Sequence, residues 1–480
     1  MPARTFLRYL SHPAGLYGWR ADLACAGFGA FAALALPPMN AVPVLLLSVP
    51  ALLAFIGAAP RPIVAARRGW WFGFGLHVVG LYWVTEAILF EAARFWWFVP
   101  LAVPGLAAVL ALFVALAAWA AWFARAGWPR VLALAGAWVL ADIARQFVAT
   151  GFPWNPLGSV WEFPGVTGDV FIQPAALISV HGLTLLTLLL ASLPVLGWRW
   201  RVAGACLFAA WIAYGCVRIA PPATAQPETT VVLVQGNVAQ GQKWDRALIL
   251  EIFRRYLSLT AGALKRANSP VVVWPETASP FLLQQDPAAR QAINQAAAGA
   301  PALVGSVRFG EDNRPRNSLF ALTDDGEIAA IYDKWHLVPF GEYQPDWFPL
   351  GIQVVPGGGF GRGPGPRTLH VPGVPPVGAM ICYEAIFPGQ VVDPHDRPAW
   401  LVNVTNDAWF GNSTGPREHL AAARLRAVEE GLPLLRAANT GISAAFDARG
   451  HEIGRLGLGA TGTLSIALPP ALPPPLFARL

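Results

Sequence analysis

One cysteine stands apart in this chain. Cys382, in the stretch VGAMICYEAIFPG (377–389), is the only one of four outside the apolar first half, where Cys25, Cys206 and Cys216 lie. It ends an apolar run and is followed at once by Tyr383 and Glu384. Strand ends are where α/β sheets gather ligands and reacting groups, so a thiol nucleophile is the sharper reading and a small buried hydrophobe the plainer one. Such a nucleophile needs a base for its proton and a positive group for the oxyanion that develops on the attacked carbonyl. Glu276 closes the run VVVWPE, where an apolar approach partly desolvates a carboxylate and suits it to a base's work, and Lys334 closes IAAIYDK. Lysine occurs only at 243, 265 and 334, all other basic side chains being arginine, so a lysine here marks a place for a compact ammonium. Taken singly, each of these charges also reads as a surface ion pair. The eight histidines are scattered, with His336 and His419 left as alternative partners for the thiol. None of the histidines shows metal-ligand spacing, and no metal or cofactor is expected.

The elements that must position these residues follow residue 229. Short β-rich runs (TTVVLVQG, PVVVWPE, ALVGSVRF, NSLFALT, IAAIYDK, VGAMICYE, WLVNVTND, PLLRAANTG and SAAFDA) alternate with turn residues. Amphipathic helices are expected at 244–266, 286–298 and 416–430, the last opening at Pro416 and stopped by Gly431. Runs such as VVLV and VVVW are continuous rather than alternating, as strands buried on both faces require. The pattern predicts a layered α/β sheet sandwich. Between them, 343–366 is a long loop mixing glycine and proline with Trp347, Phe348, Leu350 and Ile352. It reads either as an apolar flap touching the bilayer or covering an acyl chain, or as a loosely packed surface loop. No strand and helix frame its glycines, so a phosphate cradle is a poor reading of them.

The first 220 residues are of another kind. Across the 480 residues, 55% are hydrophobic and 13% charged, with a mean hydropathy of +0.46, against about 25% charge in an ordinary soluble domain. Apolar stretches at about 22–37, 41–58, 70–90, 95–121, 129–149, 171–195 and 203–219 predict about seven membrane spans, the first two competing with a re-entrant hairpin. Arginines gather in alternate loops (Arg4, Arg8 and Arg20; Arg61, Arg67 and Arg68; Arg125 and Arg130; Arg199 and Arg201), which the positive-inside rule keeps in the cytoplasm. An odd number of spans then delivers the second block to the periplasm of a Gram-negative cell. The net charge of +6 is spread as topology signals, not along a face that would hold nucleic acid. Trp70, Trp71, Trp96, Trp97, Trp198 and Trp200 are expected at span ends, and His77 and Asp142 as structurally paired polar groups at membrane depth. The N-terminus lacks the pattern of a cleaved signal. PPATAQPE (221–228) reads as a linker.

WPE (274–276), YDKWHLVPFGEY (332–343) and CYE (382–384), in that order in a β-rich block, resemble the Glu-Lys-Cys motifs of the nitrilase, or carbon–nitrogen hydrolase, superfamily. With the spans in front and VQGNVAQGQKWD (234–245) opening the block, nearly the whole chain resembles the apolipoprotein N-acyltransferase family. The resemblance implies a membrane α-helical bundle (1–220), the linker, a nitrilase-like αββα sandwich in the periplasm (229–468) and a proline-rich tail (469–480). It implies two-step acyl transfer at the inner membrane by a monomer. Cys382 would take the sn-1 acyl chain of a phospholipid, typically phosphatidylethanolamine, as a thioester, and the α-amine of the diacylglyceryl-cysteine of an apolipoprotein would then accept it. Glu276 would be the base and Lys334 the oxyanion's partner, with Glu342, Tyr383 and Glu384 as supporting residues, Trp244 as a substrate contact and Asn406 as a softer candidate. The family pattern ends in a further span, whereas LPPALPPPLFARL is too short and proline-rich to cross, so either that span lies beyond it or seven suffice. Two rival readings stay open: a membrane-tethered amidase acting on small amides with water as acceptor, and a polytopic sensor or transporter in which Cys382 only packs.

Overall fold

The computed structural model describes residues 16–89, 96–219, 229–243, 245–264, 269–345 and 359–480. The chain divides into two compact units, Met1–Ala220 with Ser413–Ala421, and Pro221–Asn412 with Ala422–Leu480.

The first unit is helical: α1 (Trp19–Ala32), α2 (Leu45–Gly57), α3 (Pro62–Gly80), α4 (Val84–Leu89), α5 (Val99–Trp122), α6 (Trp128–Ala144), α7 (Gly165–Ile172), α8 (Ala175–Ala191) and α9 (Trp198–Arg218). Among the described residues, Trp96–Trp122, Ala175–Val195 and Trp198–Arg218 are long and apolar enough to cross a membrane. Helices stand at all seven apolar stretches, but α1, α2 and α6 are shorter than the ~20 residues of an upright crossing, and α3 carries Arg67 and Arg68. Trp70 and Trp71 fall in the middle of α3, not at its end, because the helix starts at Pro62 and runs through those arginines. Arg67 pairs with Asp22 at 3.2 Å and Arg68 donates to the Phe55 carbonyl, which removes the need to end the helix there. Asp142 pairs with Arg145 at 3.2 Å, as a polar group at membrane depth must. The helices approach closely through small residues: a Cβ on Gly75 would stand 2.0 Å from the Ala26 carbonyl oxygen on α1.

The expected helix 416–430 is α12 (Gly415–Glu430), but Ser413–Ala421 groups with the first unit. There Glu418 accepts the indole N–H groups of Trp83 (3.0 Å) and Trp154 (2.7 Å).

The second unit holds two six-stranded sheets. The first has the order β12-β1-β2-β3-β4-β5, with β1 Thr230–Gln235, β2 Pro270–Trp274, β3 Ala302–Phe309, β4 Pro315–Leu322, β5 Ile328–Asp333 and β12 Gly462–Ala467. The second runs β11-β10-β9-β8-β7-β6, with β6 Thr368–Val371, β7 Val374–Ile381, β8 Trp400–Thr405, β9 Leu434–Ala438, β10 Ser443–Phe446 and β11 Glu452–Leu456. β1, β2 and β3 are parallel, joined through α10 (Ile249–Leu264) and α11 (Pro287–Ala296), and β7, β8 and β9 are parallel in the second sheet. The remaining pairs in both sheets are antiparallel. Parallel strands need long crossovers, which is why the helices interrupt these segments. One apolar cluster joins the inner faces of the two sheets (Leu233, Val273 and Leu319 with Val377, Val402 and Ala437), and another packs α10 and α11 on the outer face of the first through Phe253, Tyr256 and Ile293. The strands β6, β11 and β12 lie outside the nine expected from sequence. They are outer strands of the two sheets, short and broken by polar residues or glycine, and carry little strand signal.

Candidate active site

Lys334 and Cys382 follow β5 and β7 directly, and Glu276 follows β2 after Pro275. Since β5 is antiparallel to β4 and β4 to β3, β5 runs in the direction of β2, and Glu276 and Lys334 emerge at the same strand ends of the first sheet. Glu276 sits in a sharp turn in which Thr277 has φ +45°. The turn lies on Gly305 of β3, where a Cβ would stand 2.2 Å from the Pro275 carbonyl oxygen.

Lys334 Nζ is 2.9 Å from Glu342 Oε1 and 3.4 Å from Glu276 Oε1, with the lysine side chain 1% exposed. Asn317, on β4, donates from Nδ2 to both carboxylates, at 2.6 Å to Glu276 and 3.2 Å to Glu342. The other oxygen of Glu342 accepts the Val338 N–H at 2.8 Å. Burial alone would lower the pKa of Lys334, but Glu342, Glu276 and Cys382 outweigh it and hold the ammonium charged above its ordinary value. It is a fixed cation with two fixed carboxylates.

Cys382 opens a single 3-10 turn, Cys382–Ile386, and has φ +52°, a conformation that L residues rarely adopt and that the surrounding structure must hold. Glu384 does much of that holding. Its Oε2 accepts Ile381 N (2.6 Å) and Tyr332 Oη (2.8 Å), and its Oε1 accepts Trp335 N (2.7 Å) and His336 N (3.3 Å). One buried carboxylate thus ties the residues flanking Lys334 to the turn that carries the thiol. Burial pushes the Cys382 thiol up to about 12; Glu276 adds to the rise and Lys334 opposes it. At rest the sulfur is a protonated thiol, coupled to both residues.

A carboxylate oxygen of Asp407 lies within 4.8 Å of Cys382 Sγ. Asp407 is fully buried against Arg436 Nη2 at 2.8 Å, and Arg436 Nη1 also donates to Asn403. Tyr383 is buried and packs edge-on to Phe387 at 5.2 Å. Asn406 does not contact the carboxylates: it donates to Gln240 at 2.6 Å and accepts from Asn439 at 3.0 Å, tying the 237–243 loop to the end of β9. Trp244 and residues 346–358 of the expected flap lie outside the described residues. His336 stacks on Phe387 at 3.7 Å with Nε2 2.9 Å from Gln390, and burial lowers it to about 4, a neutral packing role. His419 falls in the segment grouped with the first unit.

Sequence reasoning missed Asn317, Lys243 and the Asp407–Arg436 pair. Asparagine is depleted in strands, and arginine interrupts the apolar run LLRAA, so both positions carried a local anomaly. Lys243 is buried, with Nζ 2.9 Å from the main-chain oxygen of Glu276.

The chain matches the carbon-nitrogen hydrolase family over residues 230–472 and the apolipoprotein N-acyltransferase N-terminal domain over 28–193. The apolipoprotein N-acyltransferase of Bradyrhizobium diazoefficiens is 39% identical over 504 residues, covering 97% of this chain and 92% of that one. That of Rhizobium meliloti is 40% identical over 480 residues, covering 93% and 89%. Among solved structures, an amidase from Nesterenkonia sp. is 18% identical with a TM-score of 0.39, covering 52% of this chain and 93% of that one. An apolar helical unit and a sandwich with a buried Cys, Glu and Lys are thus matched together along nearly the full length, and the chain belongs to the apolipoprotein N-acyltransferase family.

Proposed function

We propose that this enzyme moves an acyl chain from the sn-1 position of a phospholipid, phosphatidylethanolamine in the cell, through a thioester on Cys382 to the α-amine of the diacylglyceryl-cysteine of an apolipoprotein. The observation that carries this reading is the buried Cys382 turn tied through Glu384 to the segment that carries Lys334, itself paired with the Glu276 carboxylate, in a chain with three helices, among the described residues, apolar enough to cross a membrane. All three residues come from one chain, which supports a monomer as the acting species. The arginines of alternate loops support an inner-membrane enzyme with the sandwich in the periplasm.

In the first half, the Glu276 carboxylate takes the thiol proton as sulfur attacks the ester carbonyl. The Lys334 ammonium faces the oxyanion. Collapse breaks the ester C–O bond, and Glu276 returns the proton to the departing lysophospholipid oxygen. In the second half the acceptor amine attacks the thioester, Glu276 takes its proton, and the C–S bond breaks to give the amide and a thiolate that recovers the proton. Ionising a thiol of pKa about 12 at pH 7 costs about 7 kcal/mol, well within the roughly 17 kcal/mol barrier of a one-per-second reaction. The thiolate therefore forms with the attack rather than standing ready.

The test is incubation of the purified protein with phosphatidylethanolamine vesicles alone. An acyl adduct on Cys382, equimolar with lysophospholipid and stable until a diacylglyceryl-cysteine peptide is added, supports the transferase. Rapid release of free fatty acid without the peptide sinks it in favour of hydrolysis, and no adduct at all sinks the thioester.

A further inference from the structure

Two of the three lysines in this chain meet at one residue. Lys334 reaches Glu276 at the carboxylate, and Lys243 reaches it from the other side of the amino acid, at the main-chain oxygen, 2.9 Å away. Lys243 belongs to the QKWD stretch, follows the short turn Gln240–Gln242, and is 5% exposed. Among the described residues this contact is the one hydrogen bond of its ammonium. The loop that delivers it is not free to drift. Asn439 accepts Val238 N (2.9 Å) and Tyr256 Oη (3.1 Å) and donates to the Val238 oxygen (2.7 Å), while Gln240 accepts from Asn406.

A lone main-chain carbonyl does not require a buried ammonium, since a neutral donor would satisfy it at lower desolvation cost. Charge gives the reason. Glu276 and Glu342 bring two negative charges to the site and Lys334 one positive, while Asp407, within 4.8 Å of the sulfur, is offset by its ion pair with Arg436. Without Lys243 the surroundings of the sulfur sum to minus one, which opposes a developing thiolate and oxyanion; with it they sum to zero. The same contact also braces the turn with φ +45° at Thr277, which aims the Glu276 side chain.

We propose that Lys243 is a positioning and charge-balancing residue for thioester formation, acting through Glu276. The inference rests on the acyl-transfer reading above. It explains why a chain built on arginine keeps an ammonium here, since a guanidinium would need a larger pocket and more partners. The titratable groups acting on Lys243 are Glu276, after β2, and Cys382, after β7, with Lys334 and Glu342 joined to Glu276 beyond. Burial lowers the lysine from 10.5 to about 8, the Glu276 and Cys382 charges partly opposing the drop. The ammonium is thus present at neutral pH and lost as pH rises through about 8.

The readout is the single-turnover rate of acyl adduct formation on Cys382 of the full chain with phosphatidylethanolamine vesicles. No acceptor amine is present to titrate. Lys243→Met is expected to slow adduct formation about 10- to 100-fold, the worth of one charged hydrogen bond. The wild-type rate is expected to show a descending limb centred near pH 8 that Lys243→Arg, always charged, moves beyond pH 10 while recovering part of the rate. Thermal unfolding checks that each variant is folded. If Lys243→Met does not fold, the wild-type and Lys243→Arg profiles still decide the matter. Adduct formation unchanged in folded Lys243→Met, or the same limb in wild type and Lys243→Arg, overturns the role of Lys243 alone. A wild type that forms no adduct overturns the reading on which it rests.

Discussion

Replacing Asn317 by alanine removes two hydrogen bonds to charge at one stroke. Its Nδ2 holds Glu276 Oε1 at 2.6 Å and Glu342 Oε1 at 3.2 Å, and these are the same two oxygens that face Lys334. In the native site the lysine sits nearer Glu342, leaving the Glu276 carboxylate only a long contact at 3.4 Å and so available to take a proton. Without the amide, that carboxylate is drawn onto the ammonium, away from the thiol. A hydrogen bond to a charged group is worth about 1.5–3 kcal/mol, which as lost transition-state stabilisation is a rate reduction of roughly 10- to 150-fold. The effect falls on chemistry and not on lipid binding, because Asn317 lies at the carboxylates and on a β4 strand that is otherwise core. The assay is quenched-flow adduct formation on Cys382 across vesicle concentrations, with thermal unfolding as a control. The expected result is a lowered plateau rate at an unchanged half-saturating lipid concentration. A folded Asn317→Ala with a wild-type plateau rate refutes the reasoning, and so does one in which only the half-saturation point moves.

Glu384→Gln places an amide against four donors and is expected to lower the unfolding midpoint by roughly 3–10 °C, read by thermal denaturation in detergent. The same group gives a pH signature. Burial raises its carboxyl from 4.5 to about 7, so the folded chain keeps a proton that the unfolded chain has lost; its stabilising contribution is complete below pH 4.5 and disappears as pH rises through 7, and the variant lacks that slope. Arg436→Met strands the Asp407 charge in a fully buried position and is expected to cost about 3–5 kcal/mol, seen as loss of folded protein, with Asp407→Asn added in the same chain restoring much of it; a single variant as stable as wild type contradicts this.

How much of this was legible in the sequence follows the range of the interactions involved. Apolar composition marks the buried parallel strands in VVVWPE and VGAMICYE and also the antiparallel edge strand β5 in IAAIYDK, and the proposed reacting residues stand after them, so all three could be placed without coordinates. The other three edge strands, β6, β11 and β12, could not, since each is defined by pairing with a neighbour and not by its own composition. The helical unit divides in the same way. Apolar length located all seven stretches, but the start of α3 depended on Arg67 meeting Asp22 and Arg68 meeting the Phe55 carbonyl, contacts 45 and 13 residues away in the chain. The site shows the limit most clearly. Asn317 and Lys243 act on Glu276 from 41 and 33 residues away, and neither spacing has a period to detect. What the sequence does carry is each residue's misfit with its surroundings: an asparagine in a strand, a lysine among arginines, an arginine in LLRAA. A polar group that breaks its local pattern must be matched by a partner elsewhere, because burial without one costs more than most folds can spare. Here the partners of two of these misfits converge on Glu276, and that of the third, Asp407, lies beside Cys382. The carboxylate proposed to take the thiol proton is therefore braced by three side chains from outside its own strand, Asn317, Lys334 and Lys243.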